Sequence, residues 1–362
     1  MATRNVHEIH PFIQALPKAE LHVHLEGSVQ PDTLLALARK AGHPLGRRTL
    51  ADLDEFYRFR DFPHFVDTYV AVCDCLSDGA DYALITEELG HAAVRQNIRH
   101  VEATFTPIRH VTARGIPFAE VMDGLAAGAA AAEAQHGVSI RFIFDHPRDL
   151  GVEEAMDTVG WCIAGRERGV VALGLSGYEN THASRPFARA VAAAKEAGLH
   201  FVPHAGEIAG PEAVWDALAL GAERIGHGIR AVEDPVLVER LRALQIPLEI
   251  APTSNLRTNA VPSLPAHPLR RLWDAGCYVT LNSDDPPMFN TDLVGEYVLA
   301  VTAFDFTLHE LAQLSLNAVR AAFLDESRKQ HIVSEILAVC AQWGITPAAA
   351  PAGFVTEKET PA

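Results

Sequence analysis

The stretch Leu21-His22-Val23-His24-Leu25-Glu26-Gly27 places two histidines two residues apart in an apolar run that reads as a strand. Side chains at i and i+2 of a strand point the same way. His22 and His24 therefore project from one face, close enough to share a metal ion. The carboxylate and glycine that follow put the pair at a strand end, where turns open space for a ligand. Two half-buried histidines in an ordinary strand would look the same, so the weight rests on what recurs downstream. Gly174-Leu175-Ser176-Gly177-Tyr178-Glu179, His204-Ala205-Gly206-Glu207, Gly226-His227-Gly228, Ala251-Pro252-Thr253-Ser254-Asn255 and Asn282-Ser283-Asp284-Asp285-Pro286 each end an apolar run in polar chemistry.

Histidines with one carboxylate suit a borderline ion such as zinc. A hydrolytic site of this kind leaves a position for water, whose pKa the ion lowers toward ~7. Asp284 is the natural fourth ligand beside His22, His24 and His204, which leaves Asp285 free for substrate. Glu207 follows His204 by three residues and is placed to exchange protons. His227, on the next strand, can orient or deprotonate the water. Gly177 offers a backbone N–H with no side chain in the way of a flat ligand. The chain has only five lysines, Lys18, Lys40, Lys195, Lys329 and Lys358, and none ends the fourth strand. The bridging lysine of two-metal hydrolases is therefore absent, and one metal is expected. The His-x-Glu with Pro-Cys-x-x-Cys pattern of another class of zinc enzymes is missing.

These residues need elements to hold them. Strands are expected at 18–25, 98–104, 138–145, 170–175, 199–203, 224–225, 247–250 and 278–281, with helices between them. The helices read as 30–41, 81–96, 118–136, 152–168, 185–197, 210–220, 235–244 and part of 264–275, with a loop at Pro107 and closing helices from Thr307. Near-continuous apolar strands separated by helices argue a parallel sheet covered on both faces. Eight strands close a (β/α)8 TIM-type barrel, whose active sites lie at the strand C-termini. Residues 48–78 read as a helical insertion after the first strand, and its aromatic run Phe56 to Phe65 suits a lid. A single barrel is expected over 1–345, with a disordered Ala/Pro-rich tail over 346–362.

Bulk properties narrow the class. The net charge is −16, which disfavours nucleic acid. No apolar run approaches a membrane span, and Met1 to His10 lacks the apolar core of a signal peptide. Five scattered cysteines suggest reduced thiols in a cytoplasmic protein. The other histidines, His64, His100, His110 and His146, read as surface or packing residues. Arg60 and Arg257 are read as solvated.

The motifs His22-Val23-His24-Leu25-Glu26-Gly27, His204-Ala205-Gly206-Glu207, Arg224-Ile225-Gly226-His227-Gly228, Pro252-Thr253-Ser254-Asn255 and Leu281-Asn282-Ser283-Asp284-Asp285-Pro286 together resemble the adenosine deaminase family of the amidohydrolase superfamily. The resemblance runs from Leu16 to Ala322, with the motifs in family order. It implies a barrel with one zinc held by His22, His24, His204 and Asp284. It implies that Glu207 protonates purine N1, that His227 orients the attacking hydroxide, that Asp285 meets N7 and that the Gly177 amide meets N3. Where adenosine deaminases commonly have Asp, this chain has Glu26, expected near the ribose 5′-hydroxyl; Tyr178 and Ala251 also depart from the usual pattern. The reaction implied is hydrolytic deamination of a 6-aminopurine nucleoside, with adenosine as the leading substrate. The alternatives are 6-amino-6-deoxyfutalosine, a menaquinone precursor, and adenine or an N6-substituted adenine. A non-catalytic purine-binding barrel would have lost a ligand or the proton donor, and all are present.

Overall fold

The computed structural model describes residues 6–348. Its strands are β1 (Lys18–His24), β2 (Ile98–Phe105), β3 (Ser139–Pro147), β4 (Val170–Ser176), β5 (His200–Ala205), β6 (Ile225–His227), β7 (Leu248–Ile250) and β8 (Val279–Leu281). They lie in sequence order in one eight-stranded sheet, every neighbouring pair parallel. The sheet closes through an isolated parallel bridge between Val23 and Asp284. There His24 N donates to Asp284 O at 2.8 Å and Asp284 N to His22 O at 3.0 Å. The architecture is the (β/α)8 barrel expected from the alternating pattern.

Proline explains several helix starts. Pro31, Pro107, Pro211, Pro235, Pro252 and Pro286 each open a helix. The first helical N–H has no intrahelical partner, so its loss is harmless, and the fixed φ suits the first turn. This corrects one expectation: the chain after β2 is not a loop at Pro107 but a helix, Pro107–Arg114, ended by Gly115 in the left-handed region at φ 71°. Four other helices lay outside the expected pattern: Val6–Ala15 before β1, Pro252–Arg257 after β7, and Pro286–Phe289 and Leu293–Phe304 after β8. The insertion over 48–78 forms helices Leu50–Phe56 and Phe62–Cys73. The closing helices are Leu308–Ala321 and Glu326–Gln342. Of the expected tail, Thr346 and Ala348 hydrogen-bond to His309, and 349–362 fall outside the described residues. All five cysteines are buried and free.

The barrel strands bury polar and ionic side chains, among them Glu20, His100, Glu102, Glu249 and Thr280, with Arg224 just ahead of β6. Arg224 donates to Glu249 Oε1 and to Glu102 Oε2, each at 2.5 Å, and all three side chains are buried. Glu102 also meets His100 Nε2 at 3.1 Å. A buried guanidinium survives only when its donors are matched by carboxylates, and the rigid fork of arginine does so here.

Candidate metal centre and active site

Strand alternation brings His22 and His24 to the mouth of the barrel, and the ends of β5, β6 and β8 bring His204, His227 and Asp284 beside them. Both His227 (φ 61°) and Asp284 (φ 65°) sit in the left-handed region. That conformation is uncommon for non-glycine residues, although Asp and His adopt it more readily than most. It ends each strand abruptly at the site.

Three imidazole nitrogens and a carboxylate oxygen converge. His24 Nε2 lies 3.2 Å from His204 Nε2. Asp284 Oδ1 is 3.4 Å from both His22 Nε2 and His24 Nε2. The far nitrogens are already used: His22 Nδ1 donates to Glu249 Oε2 at 2.9 Å, and His204 Nδ1 donates to the Leu175 carbonyl at 3.1 Å. Those bonds leave the Nε2 lone pairs of His22 and His204 facing inward, the arrangement in which an outer hydrogen bond orients a metal-ligating imidazole. His22 Nε2 has no hydrogen-bond partner despite full burial. His22 Nε2, His24 Nε2, His204 Nε2 and Asp284 Oδ1 thus converge on one point, a donor set that fits a metal ion. His227 stands close by; its Nε2 is 3.6 Å from Glu207 Oε2 and 3.9 Å from Asp284 Oδ2. Grouped by mutual distance alone, His227 joins His22, His204 and Asp284, while His24 groups with Asp284 and Asp285.

The protonation states follow from burial and neighbours. Burial would lower the His22 pKa, but the Asp284 and Glu249 carboxylates outweigh it and raise it to about 10 in the metal-free chain. Burial, followed by the charge of neighbouring His22, lowers His227 to about 3, so its imidazole is neutral. Asp284 is held well below the usual carboxylate range because its histidines outweigh its burial. Glu207 goes the other way: burial first, then Asp284 and Glu179, push it well above the usual range. Asp285 is raised by burial and by Asp284. The site thus pairs an anionic Asp284 with a protonated Glu207 and Asp285, two kinds of carboxyl set apart by environment.

A cavity opens over this floor. His24, Gly177, His204, Glu207, His227, Asp284 and Asp285 line its polar end, and Asp285 Oδ1 is buried without a partner. The opposite wall is helix Phe62–Cys73, which contributes Phe62, Phe65, Val66, Tyr69 and Val70. The expected lid segment therefore covers the site, and Phe62 packs edge-on against Tyr178 at 5.8 Å between ring centroids. Gly177 has φ 79°, and a Cβ there would lie 2.9 Å from Asp149 Oδ1.

Glu26 is the exception. It is fully buried and does not line the cavity. Its Oε1 accepts from Thr106 N and from His110 Nε2, both at 3.0 Å. The expected substrate contact is not offered at the cavity wall: Glu26 Oε1 is held behind it by Thr106 and by His110 of helix Pro107–Arg114. His110 is accordingly more than a packing residue. Sequence reasoning also missed Thr106, Arg109, Pro147 and Asp149, which line the cavity from the ends of β2 and β3. The proline-opened turn at 106–107 was the available signal. It missed Glu179 as a brace too: its carboxylate accepts from Gly206 N at 2.7 Å and fixes the β5 turn.

Comparison with known proteins agrees with the geometry. The family model for adenosine deaminase matches residues 17–339. An aminodeoxyfutalosine deaminase from Streptomyces avermitilis is 43% identical over 347 residues, 93% of this chain and 94% of that one. An adenine deaminase from Arthrobacter aurescens superposes with a TM-score of 0.85 at 34% identity, covering 91% of this chain and 99% of that one. A zinc-bound amidohydrolase from Burkholderia ambifaria superposes with a TM-score of 0.86 at 28% identity, covering 95% and 96%. Among the described residues no helix is long and apolar enough to cross a membrane. The barrel, the inward-facing imidazoles and these matches lead to one assignment: the chain belongs to the adenosine deaminase family, hydrolases that act on carbon–nitrogen bonds.

Proposed function

We propose that this protein hydrolytically deaminates the 6-amino group of a purine, and that its substrate is 6-amino-6-deoxyfutalosine rather than adenosine. The observation that carries the reaction is Glu207, buried at the cavity floor with its pKa pushed well above the usual range, 3.6 Å from His227 and beside the His/Asp cluster. Adenosine, the leading expectation from the motifs, finds no support among the relatives reported above, one of which acts on aminodeoxyfutalosine and one on adenine. One feature favours a nucleoside with an enlarged 5′ end over free adenine: beyond its polar floor the cavity is also lined by Phe62, Phe65, Val66 and Arg109.

A single zinc per chain would be held by His22, His24, His204 and Asp284. When bound it supplies Lewis acidity, which makes water nucleophilic at neutral pH. The remaining work belongs to the protein. Asp285, kept protonated, donates to N7, and the Gly177 amide donates to N3. Both orient the ring so that C6 faces the attacking oxygen. Glu207 gives its proton to N1 as the water oxygen adds at C6, and takes up the water's proton in return. It then delivers that proton to the amino group; as ammonia leaves, the C6 hydroxyl returns its remaining proton to Glu207, and the ring is left with a C6 carbonyl and a proton on N1. His227 stands within reach of the same oxygen.

An ultraviolet assay on the zinc-loaded protein tests this with 6-amino-6-deoxyfutalosine, adenine and adenosine in parallel. The expected result is fast loss of the first and slow loss of the others. Glu207→Gln is expected to lower kcat by about 10²–10⁴-fold with zinc content unchanged. Fast turnover of adenine alone would replace the substrate and keep the chemistry. No turnover of any 6-aminopurine by protein holding one zinc would overturn the reaction.

A further inference from the structure

Behind His227 the structure holds a chain of hydrogen bonds whose direction is set at its far end. His267 ends a short 3-10 turn, Leu264–Ala266, just before helix Leu269–Asp274. Its Nδ1 accepts from the Leu269 backbone N–H at 3.1 Å. A backbone N–H can only donate, so His267 Nδ1 is unprotonated and its hydrogen lies on Nε2. His267 Nε2 then donates to Asn255 Oδ1 at 3.1 Å. That contact fixes which way the Asn255 amide lies, and its Nδ2 donates to His227 Nδ1 at 3.0 Å. All three side chains are buried. Burial lowers His267 to about 4, so the ring is neutral and the relay holds one polarity at neutral pH.

The relay ends at the site. With Nδ1 of His227 occupied as an acceptor, its hydrogen lies on Nε2, and a histidine's tautomer is set by the bond its other nitrogen makes. Nε2 faces Glu207 Oε2 at 3.6 Å and Oδ2 of the Asp284 carboxylate, an acceptor, at 3.9 Å. We propose that Asn255 and His267 are positioning residues that lock His227 as the Nε2–H tautomer, which makes it a hydrogen-bond donor to the oxygen adding at C6 and withholds it from the metal. A nitrogen that carries hydrogen has no lone pair for a cation, so His24 and not His227 completes the ligand set. His227 likewise has no lone pair there with which to deprotonate water. The kinetic half of this proposal rests on the deaminase reading; the tautomer does not.

The test uses zinc-loaded protein with 15N-labelled histidine. Two-bond proton–nitrogen correlations report which ring nitrogen carries hydrogen, and His227→Gln identifies the His227 signals. The expected result is an unprotonated Nδ1 and a protonated Nε2 at His227. Asn255→Asp, which offers only acceptors, is expected to move the hydrogen to Nδ1. His267→Leu is expected to mix the two forms, and His267→Gln, which keeps the donor, to restore the first. In steady state, Asn255→Asp is expected to lose about 100-fold or more in kcat, the scale seen when a catalytic imidazole is held in the wrong tautomer or loses its outer partner. KM is expected to stay within about twofold, since the ring contacts of Gly177 and Asp285 are untouched. A protonated Nδ1 at His227 in the wild type would overturn the proposal without any variant. So would a tautomer that Asn255→Asp leaves in place. A wild type that shows the Nε2–H form yet turns over no 6-aminopurine would support the lock and remove the deaminase reading.

Discussion

Gly27 shows how little room the site leaves at the scale of one atom. A Cβ at position 27 would lie 1.6 Å from Asp285 Oδ1 and 2.8 Å from Asp285 Cβ. No rotamer of Asp285 relieves the second contact without a backbone shift, so glycine there is a requirement of the carboxyl beside it. Gly27→Ala is expected to displace Asp285 and to lower kcat/KM by about 10-fold or more, on the scale a misplaced contact costs. Zinc content measured alongside is expected to stay at one per chain, because the ligands do not touch position 27. A variant with wild-type kcat/KM would show that Asp285 does not hold the substrate.

Elements near the site are joined by buried carboxyls, which ties their packing to pH. Glu296, in helix Leu293–Phe304, accepts from Thr253 N at 3.2 Å and from Thr291 Oγ1 at 2.5 Å. It thereby anchors helix Pro252–Arg257, which carries Ser254 and Asn255. Burial raises its pKa to about 7 from an ordinary 4.5. The folded chain therefore holds a proton that the unfolded chain releases between those values. Stability from this group is full below pH 4.5 and falls as pH rises toward about 7, because the folded state binds more protons across that window. Glu296→Gln removes the titration and keeps an oxygen for the Thr253 amide. Urea unfolding at pH 5 and pH 8 is expected to show the variant gaining on the wild type by about 2 kcal/mol at the higher pH. An equal difference at both values would mean that Glu296 titrates normally.

Across the whole molecule, the barrel's interior ions connect its floor to its catalytic face. Arg224 bonds Glu102 and Glu249, and Glu249 in turn bonds the metal-facing His22. Breaking a buried pair by removing one partner leaves uncompensated charge, at a cost of about 3–5 kcal/mol. Arg224→Met is expected to lose stability on that scale in urea unfolding, and to bind zinc more weakly because Glu249 no longer holds His22 in place. Loss of stability with unchanged zinc affinity would separate the two halves of this network. An ion held by His22, His24, His204 and Asp284 would tie the ends of β1, β5 and β8 together. Its removal with a chelator is expected to lower Tm, and at 1,000-fold saturation the bound ion contributes about 4 kcal/mol. Zinc added back is expected to restore Tm.

The strand ends were legible in the sequence because side-chain direction along a strand is a local property with a period of two. His22 and His24 had to emerge together, and eight apolar runs between helices had to close with their polar ends on one face. What surrounds each end was not legible, because partners there come from segments far apart in sequence. Glu26 turns from the cavity because His110, 84 residues away, holds it. His22 is aimed by Glu249, 227 residues on. Helix Pro107–Arg114 was hidden because proline reads as a loop until its place at a helix start is seen. The relay through His267 could not be read at all, since the direction of a hydrogen bond depends on which atoms meet and not on residue type. The residues that meet at the barrel mouth, His22, His24, His204, Glu207, His227 and Asp284, were therefore named by the sequence alone. The tautomer of His227, the protonation of Glu207 and the apolar wall over the substrate were decided only when the barrel closed, because burial and neighbouring charge exist only in the folded chain.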